Sequence, residues 1–168
     1  ADIDEFEIEA EKERVLAPTK RNDGIPPNQI EFKTRRLVND YLQPPKVTKK
    51  MLLAQERLAE VRNVMENEML VTNAHELMRS LEVSSIMDCA DMAAHASLHR
   101  TESRWGLYHN RADFPKKDDA NWFCHTLLSK NNKGQMVSQK QDVEPYIIPI
   151  NDDEKEAYDN QRIQTFKK

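Results

Sequence analysis

Asp88, Asp91, His95 and His99 recur at three- and four-residue steps, with Glu102 close behind. On a helix that spacing lines side chains along one face, and two histidines four residues apart can reach a single metal ion. The same stripe also describes the polar face of an ordinary helix whose other sides carry Ile86, Ala90, Ala93, Ala94 and Leu98. A metal centre needs ligands from other elements as well, so Asp91, His95 and His99 stand as candidates only, and the expectation is a chain without metal. Cys124 beside His125 offers a thiol and an imidazole, but neighbours in a strand point to opposite faces, and no nucleophilic pair is expected. No catalytic residue is expected from either group.

A denser collection lies in "RTESRWGLYHNRADFPKKDDANW". Arg100, Arg104, Arg111, Glu102 and Asp113 fall among Trp105, Tyr108, Phe114 and Trp122, with His109 between them. Guanidinium groups stack on rings and fork to carboxylates, so this composition suits two arrangements. One is an internal network that pins an irregular segment; the other is an arginine-rich face for a partner domain or an anionic ligand. Both remain open from the residues alone.

These residues need a scaffold, and composition limits what it can be. The chain of 168 residues is long enough for one domain with a core, and its 32% charged and 38% hydrophobic residues suit a soluble fold. No apolar run approaches the roughly 20 residues of a membrane span, so direct membrane insertion is not expected. A net charge of −4 with interleaved signs argues against nucleic acid. Two distant cysteines without a CxxC spacing point to reduced thiols in a cytoplasmic setting and exclude a zinc finger. Three isolated glycines, Gly24, Gly106 and Gly134, write neither a dinucleotide fingerprint nor a P-loop. No Gly-x-Ser-x-Gly elbow is present either. The chain opens at Ala1 without Met and without a signal or transit pattern, which suggests excision from a longer protein.

The expected fold is mainly α: an antiparallel bundle of three to four helices, then an irregular segment and a small β-hairpin. "DIDEFEIEAEKERVL" carries acids at its start and bases at its end, which predicts a helix with a solvated acidic face stopping at Pro18. Two Pro-Pro pairs bound a second helix bearing Ile30, Leu37 and Tyr41. Thr48 is the expected N-cap of a third, in which Met51, Ala54, Leu58, Val61, Met65 and Met69 share one face. Asn73 and Glu76 form a capping box for a fourth, running to Arg100. The methionines at 51, 65, 69, 78, 87 and 92 read as core filler. "NWFCHTLLSK", "NNKG" and "QMVSQKQDV" predict the hairpin, and "EPYIIPIN" reads as extended. The domain is expected over residues 1–150, with an acidic lead-in at 1–26 and a polar tail at 151–168, which reads as a short helix or loose chain.

Arg100, Glu102, Ser103, Arg104, His109, Arg111, Asp113, Phe114, Pro115, Asp118, Asp119 and Trp122 together resemble a segment of the C-terminal helical domain of succinate dehydrogenase and fumarate reductase flavoprotein subunits. There Arg-x-Glu-Ser-Arg-Gly precedes His-x-Arg-x-Asp-Phe-Pro, paired aspartates and Trp. The resemblance extends over about residues 27–150 and is strongest over 76–128. Between Arg104 and His109 this chain has "WGLY", two residues more than the usual dehydrogenase version. A Trp directly after the arginine with this spacing is similar to the alpha subunit of adenylylsulfate reductase.

The resemblance implies a domain of an FAD enzyme whose flavin sits in other domains, with electrons passing between FAD, a small anionic substrate and an iron–sulfur subunit. This chain would bind no cofactor itself and would be inactive alone. Arg100, Glu102, Arg104, Trp105, His109, Arg111 and Asp113 would then contact the flavin-binding domain of the same polypeptide or the iron–sulfur subunit. Its place would be cytoplasmic, at the inner face of the membrane through a partner. The alternatives are an autonomous helical protein-interaction module and a small metalloenzyme using Asp91, His95 and His99. Fold alone does not separate them.

Overall fold

A computed structural model describes residues 4–106 and 108–143. The stretch beginning "EPYIIPIN" and the polar tail lie outside the described residues. The elements run α1 (Glu5–Leu16), a 3₁₀ turn (Ala17–Lys20), α2 (Pro27–Leu37), a wide π turn (Val38–Leu42), α3 (Thr48–Glu68), α4 (Ala74–His99), a one-turn α5 (Asp119–Trp122), β1 (Cys124–Lys130) and β2 (Met136–Asp142).

Local signals explain most boundaries. Asp4 caps α1 by accepting from the Phe6 N–H at 2.9 Å. Ion pairs Lys12–Glu9 and Arg14–Glu11, both 2.6 Å, run along it. The helix buries nothing, as its acidic composition predicts, and solvent screens its exposed ion pairs, which add little to stability. Pro27 occupies the first position of α2, where a missing N–H costs nothing. Ile30 and Thr34 face inward, and the π turn carries the chain on until Leu42 is buried. The Pro pair then ends it, with a cis Pro44–Pro45 bond.

The chain enters the bundle through a close backbone contact. Ile25 N–H donates to Glu68 O at 2.8 Å and Leu70 N–H to Ile25 O at 3.0 Å. Arg21 adds hydrogen bonds to the carbonyls of Met69 and Glu66 at the end of α3. Gly24 makes this approach possible, because a Cβ there would stand 2.2 Å from Glu68 O.

α2, α3 and α4 pack together over two joined clusters. Leu42, Met51, Ala54, Leu58, Met87, Ala90 and Ala94 form one; Ile30, Met65, Met69 and Val83 form the other, and Val61 touches both. The α4 alanines admit the neighbouring helices closely. Met51, Met65, Met69 and Met87 are core residues as expected, but Met78 and Met92 are 52% and 40% exposed, because they lie on the side of α4 away from α2 and α3.

Two capping expectations change in detail. Asn73 caps α4, accepting from Glu76 N–H at 2.9 Å, but the Glu76 carboxylate accepts from the backbone and hydroxyl of Thr72, one residue earlier than a capping box requires. Thr48 does not cap α3. It is the first helical residue, after Val47, and the carboxylate of Asp113 accepts its N–H at 2.8 Å. The helix is therefore capped from the irregular segment.

The hairpin is antiparallel, pairing Cys124 with Asp142 through to Lys130 with Met136. Asn131 closes the loop: its carbonyl accepts from Gly134 N–H at 2.8 Å and its side chain from Lys133 and Gln135 N–H.

Candidate functional site

α4 ends at His99, and the following chain folds back over the end of the bundle. Arg100 and Glu102 are buried, at 5% and 0% exposure. Arg100 Nη1 donates to Glu102 Oε1 at 2.6 Å and to Trp122 O at 2.9 Å, and its Nη2 donates to Cys124 O at 2.5 Å. One guanidinium thus joins the α4 terminus, α5 and the root of β1. Glu102 also accepts from Arg104 Nε at 2.6 Å, from Arg104 Nη2 at 3.1 Å and from Asp118 N–H at 2.8 Å. Arg104 reaches Asp119 as well, at 2.5 Å. Burial opposes ionisation of Glu102, but the bonds from Arg104, Asp118 N–H and Arg100 outweigh it and hold the carboxyl below its usual range.

Arg111 is the centre of a second group and is fully buried. It forks onto Asp113 at 2.8 and 2.9 Å and donates to Thr48 Oγ1 at 2.7 Å, Ser97 O at 2.6 Å and Arg100 O at 3.1 Å. The Phe114 ring lies 4.9 Å from its guanidinium carbon. Arg111 therefore satisfies the open carbonyls at the end of α4 while Asp113 caps the start of α3. The bond from Arg111, together with those from Thr48, pulls the Asp113 carboxyl far below its ordinary value. Lys46 runs alongside in backbone, with Lys46 N–H to Asn110 O at 2.7 Å and Ala112 N–H to Lys46 O at 2.9 Å. Its ammonium donates to Ser97 Oγ at 2.8 Å. His109, 7% exposed, donates from Nε2 to Arg100 O at 3.2 Å. Burial, with Lys46, Arg111 and Arg100 nearby, keeps its imidazole below the ordinary value and therefore neutral.

Rings tie the two groups to the hairpin. Trp122 is 6% exposed, with the His99 ring edge-on at 5.3 Å, Arg100 at 5.4 Å and Lys140 Nζ at 3.6 Å from its centre. Trp105 is the opposite case. It is 57% exposed and Tyr108 is 82% exposed, on a tight turn where Arg104 N–H donates to His109 O at 2.8 Å. Trp105 and Gly106 both have left-handed backbone, φ 57° and 58°, a conformation that costs a bulky side chain energy. Arg100 and Arg104 lie 5.6 and 5.9 Å from the Trp105 ring.

The structure thus gathers Arg100, Glu102, Arg104, His109, Arg111 and Asp113 in one network and leaves Trp105 at its outer rim. It does not gather the metal candidates. Asp91 and His95 stand 3.5 Å apart, while His99 packs on Trp122 with its buried Nε2 unbonded. Among the described residues no group of His, Cys, Asp or Glu is arranged to hold a metal. Cys124 and His125 lie on opposite faces of β1. Lys46 and Ser97 are members of the network that no local pattern singled out, since they lie 51 residues apart and meet only in the fold.

The family described as "Fumarate reductase flavoprotein C-term" matches residues 33–156, well over half of the chain. The chain belongs to that family. Among relatives, the fumarate reductase flavoprotein subunit of Mycobacterium tuberculosis is 38% identical over 61 residues, 36% of this chain and 10% of its own length. The succinate dehydrogenase flavoprotein subunit of Coxiella burnetii is 26% identical over 129 residues, 74% of this chain and 22% of its own length. The chain therefore spans a quarter or less of these relatives. Its fold matches adenylylsulfate reductase from Archaeoglobus fulgidus with TM-score 0.83 at 22% identity, over 89% of this chain and 26% of that one. For the quinol fumarate reductase of E. coli the TM-score is 0.73 at 21% identity, over 89% and 27%.

The family is one of flavoproteins, and the described residues do not fit a flavin. Gly106 and Gly134 sit in turns, Gly24 is pressed against Glu68, and the guanidinium groups of Arg100, Arg104 and Arg111 are committed to protein acceptors. Among the described residues no helix is long and apolar enough to cross a membrane.

Proposed function

We propose that this chain is the C-terminal domain of an FAD-dependent oxidoreductase of the succinate dehydrogenase, fumarate reductase and adenylylsulfate reductase group, and that it braces the flavin domain or docks the iron–sulfur partner. Residues 1–150 form the domain, with 1–26 as lead-in and 151–168 as tail. The flavin and the small anionic substrate are held by the rest of the polypeptide, and the isolated chain is inactive. Assembly with its partners keeps it in the cytoplasm, at the inner face of the membrane.

The observation that carries this reading is the contrast between the buried arginines and the exposed rings. Arg100, Arg104 and Arg111 are occupied internally, so they position the segment, while Trp105 and Tyr108 are held out where another surface meets them. Exposed aromatic groups on a rigid support suit a protein interface. Glu102 and Asp113 are the internal counter-charges that make the support rigid. Replacing Arg104 with Ala in the full-length enzyme should impair assembly or flavin retention; normal activity with normal flavin content would refute the reading.

A further inference from the structure

α4 presents two faces of similar apolar character, and only one is covered. Val83, Met87, Ala90 and Ala94 enter the bundle core. On the opposite side Met78, Leu81, Ser85, Cys89 and Met92 follow one another at steps of three and four, and all five are exposed. Met78, Leu81 and Met92 are 52%, 39% and 40% exposed. No charged side chain falls within this stripe; Glu82 flanks it on one side and Asp88, paired with Arg62 at 2.8 Å, on the other. The outward face of α3 differs: after the exposed Leu52 it carries Glu56, Arg57, Glu60 and Asn63, with an Arg57–Glu60 ion pair at 2.8 Å. An apolar strip with a polar rim marks an interaction surface.

We infer that the outer stripe of α4 is covered by the flavin-binding domain of the same polypeptide, as a second contact separate from the Trp105 turn. This rests on the proposed function. Two features of the stripe select the occupant. Met78 to Met92 extends about 21 Å along the helix, so the strip covers a few hundred Å². That is short of the roughly 800 Å² per partner of a stable dimer, but it suits one part of a contact between domains joined in one chain. Chain is also at hand, since the solved relatives are matched over only 26–27% of their length. The net charge of −4 disfavours an anionic membrane surface.

Cys89 reports on this face, being exposed in the described chain. The intact flavoprotein would be treated with iodoacetamide, native and in urea, and alkylation of the Cys89 peptide followed by mass spectrometry. Labelling at least tenfold slower in the native holoprotein supports the inference. Native labelling within twofold of the unfolded rate overturns it. Protection that disappears on dilution while flavin remains bound assigns the face to a second copy and also overturns it. In the Met92→Lys variant, whose side chain is half outside already, Cys89 should become as reactive as in urea; unchanged protection again overturns the inference. Flavin absorbance and polypeptide mass on the same sample test the proposed function separately. Free Cys89 labelling in a long, flavin-loaded chain would refute only the docking of α4.

Discussion

Replacing Glu102 with Ala is the most direct test of the network at the end of the bundle. The carboxylate is fully buried and accepts four hydrogen bonds, from Arg100 Nη1, Arg104 Nε and Nη2, and Asp118 N–H. Removing one partner of a buried ion pair costs about 3–5 kcal/mol, because the other charge stays buried without compensation. Here both arginines keep acceptors, Arg100 in the carbonyls of Trp122 and Cys124 and Arg104 in Asp119, which places the loss near the lower bound of about 3 kcal/mol. In a chain of this size each kcal/mol moves Tm by about 2–4 °C, so the expected fall is about 6–12 °C. Thermal unfolding followed by far-UV circular dichroism reads this directly. Near-UV spectra should change too, since the Arg100 guanidinium packed on Trp122 loses one of the bonds that orient it. A fall of less than about 3 °C would refute the claim that Glu102 anchors the segment.

Two further outcomes follow from the same geometry. His109 and His99 both have depressed values, so their stabilising contributions are complete above the ordinary histidine value of about 6.5 and are lost as pH falls from there. Glu102 and Asp113, also depressed, contribute fully above about pH 4 and lose that contribution below it. Urea unfolding between pH 8 and pH 3 should therefore show stability declining on acidification in two stages; a rise from pH 7 to pH 5 would contradict the buried neutral state of His109. Gly24→Ala should destabilise by about 1–3 kcal/mol, since its Cβ meets the backbone oxygen of Glu68 at 2.2 Å, and an unchanged urea midpoint would show that the contact relaxes freely.

Much of the bundle was legible because its signals are local. Paired prolines bound α2 together with its π turn, Asn73 opens α4, and the spacing of Met51, Ala54, Leu58 and Met65 defines the inner face of α3. The hairpin was announced by "NNKG" between strand-forming runs. Periodicity shows which residues share a face, but not how many faces find a neighbour, and so it does not separate the exposed Met78 and Met92 from the core methionines. Thr48 departs from its expected capping role for a different reason. Its sequence context suits a cap, yet the oxygen that accepts its N–H belongs to Asp113, 65 positions away. The arginine cluster was recognisable by composition, while its division into buried supports and exposed rings depends on Ser97, Thr48 and Lys46 arriving from α4, α3 and the Pro45 turn.

The capping of α3 by Asp113 also sets an order of events during synthesis. Translation proceeds at about 5–20 residues per second, so the first turn of α3 waits several seconds for the residue that completes it. Until then α2, α3 and α4 can associate through their apolar faces, but the carbonyls of Ser97 and Arg100 and the N–H of Thr48 face water. Arrival of Arg111 and Asp113 closes a long loop in one step, and the entropy of that closure grows only slowly with its length. A nascent chain halted before residue 111 would therefore hold three helices in loose association, with the end of the bundle still unfastened.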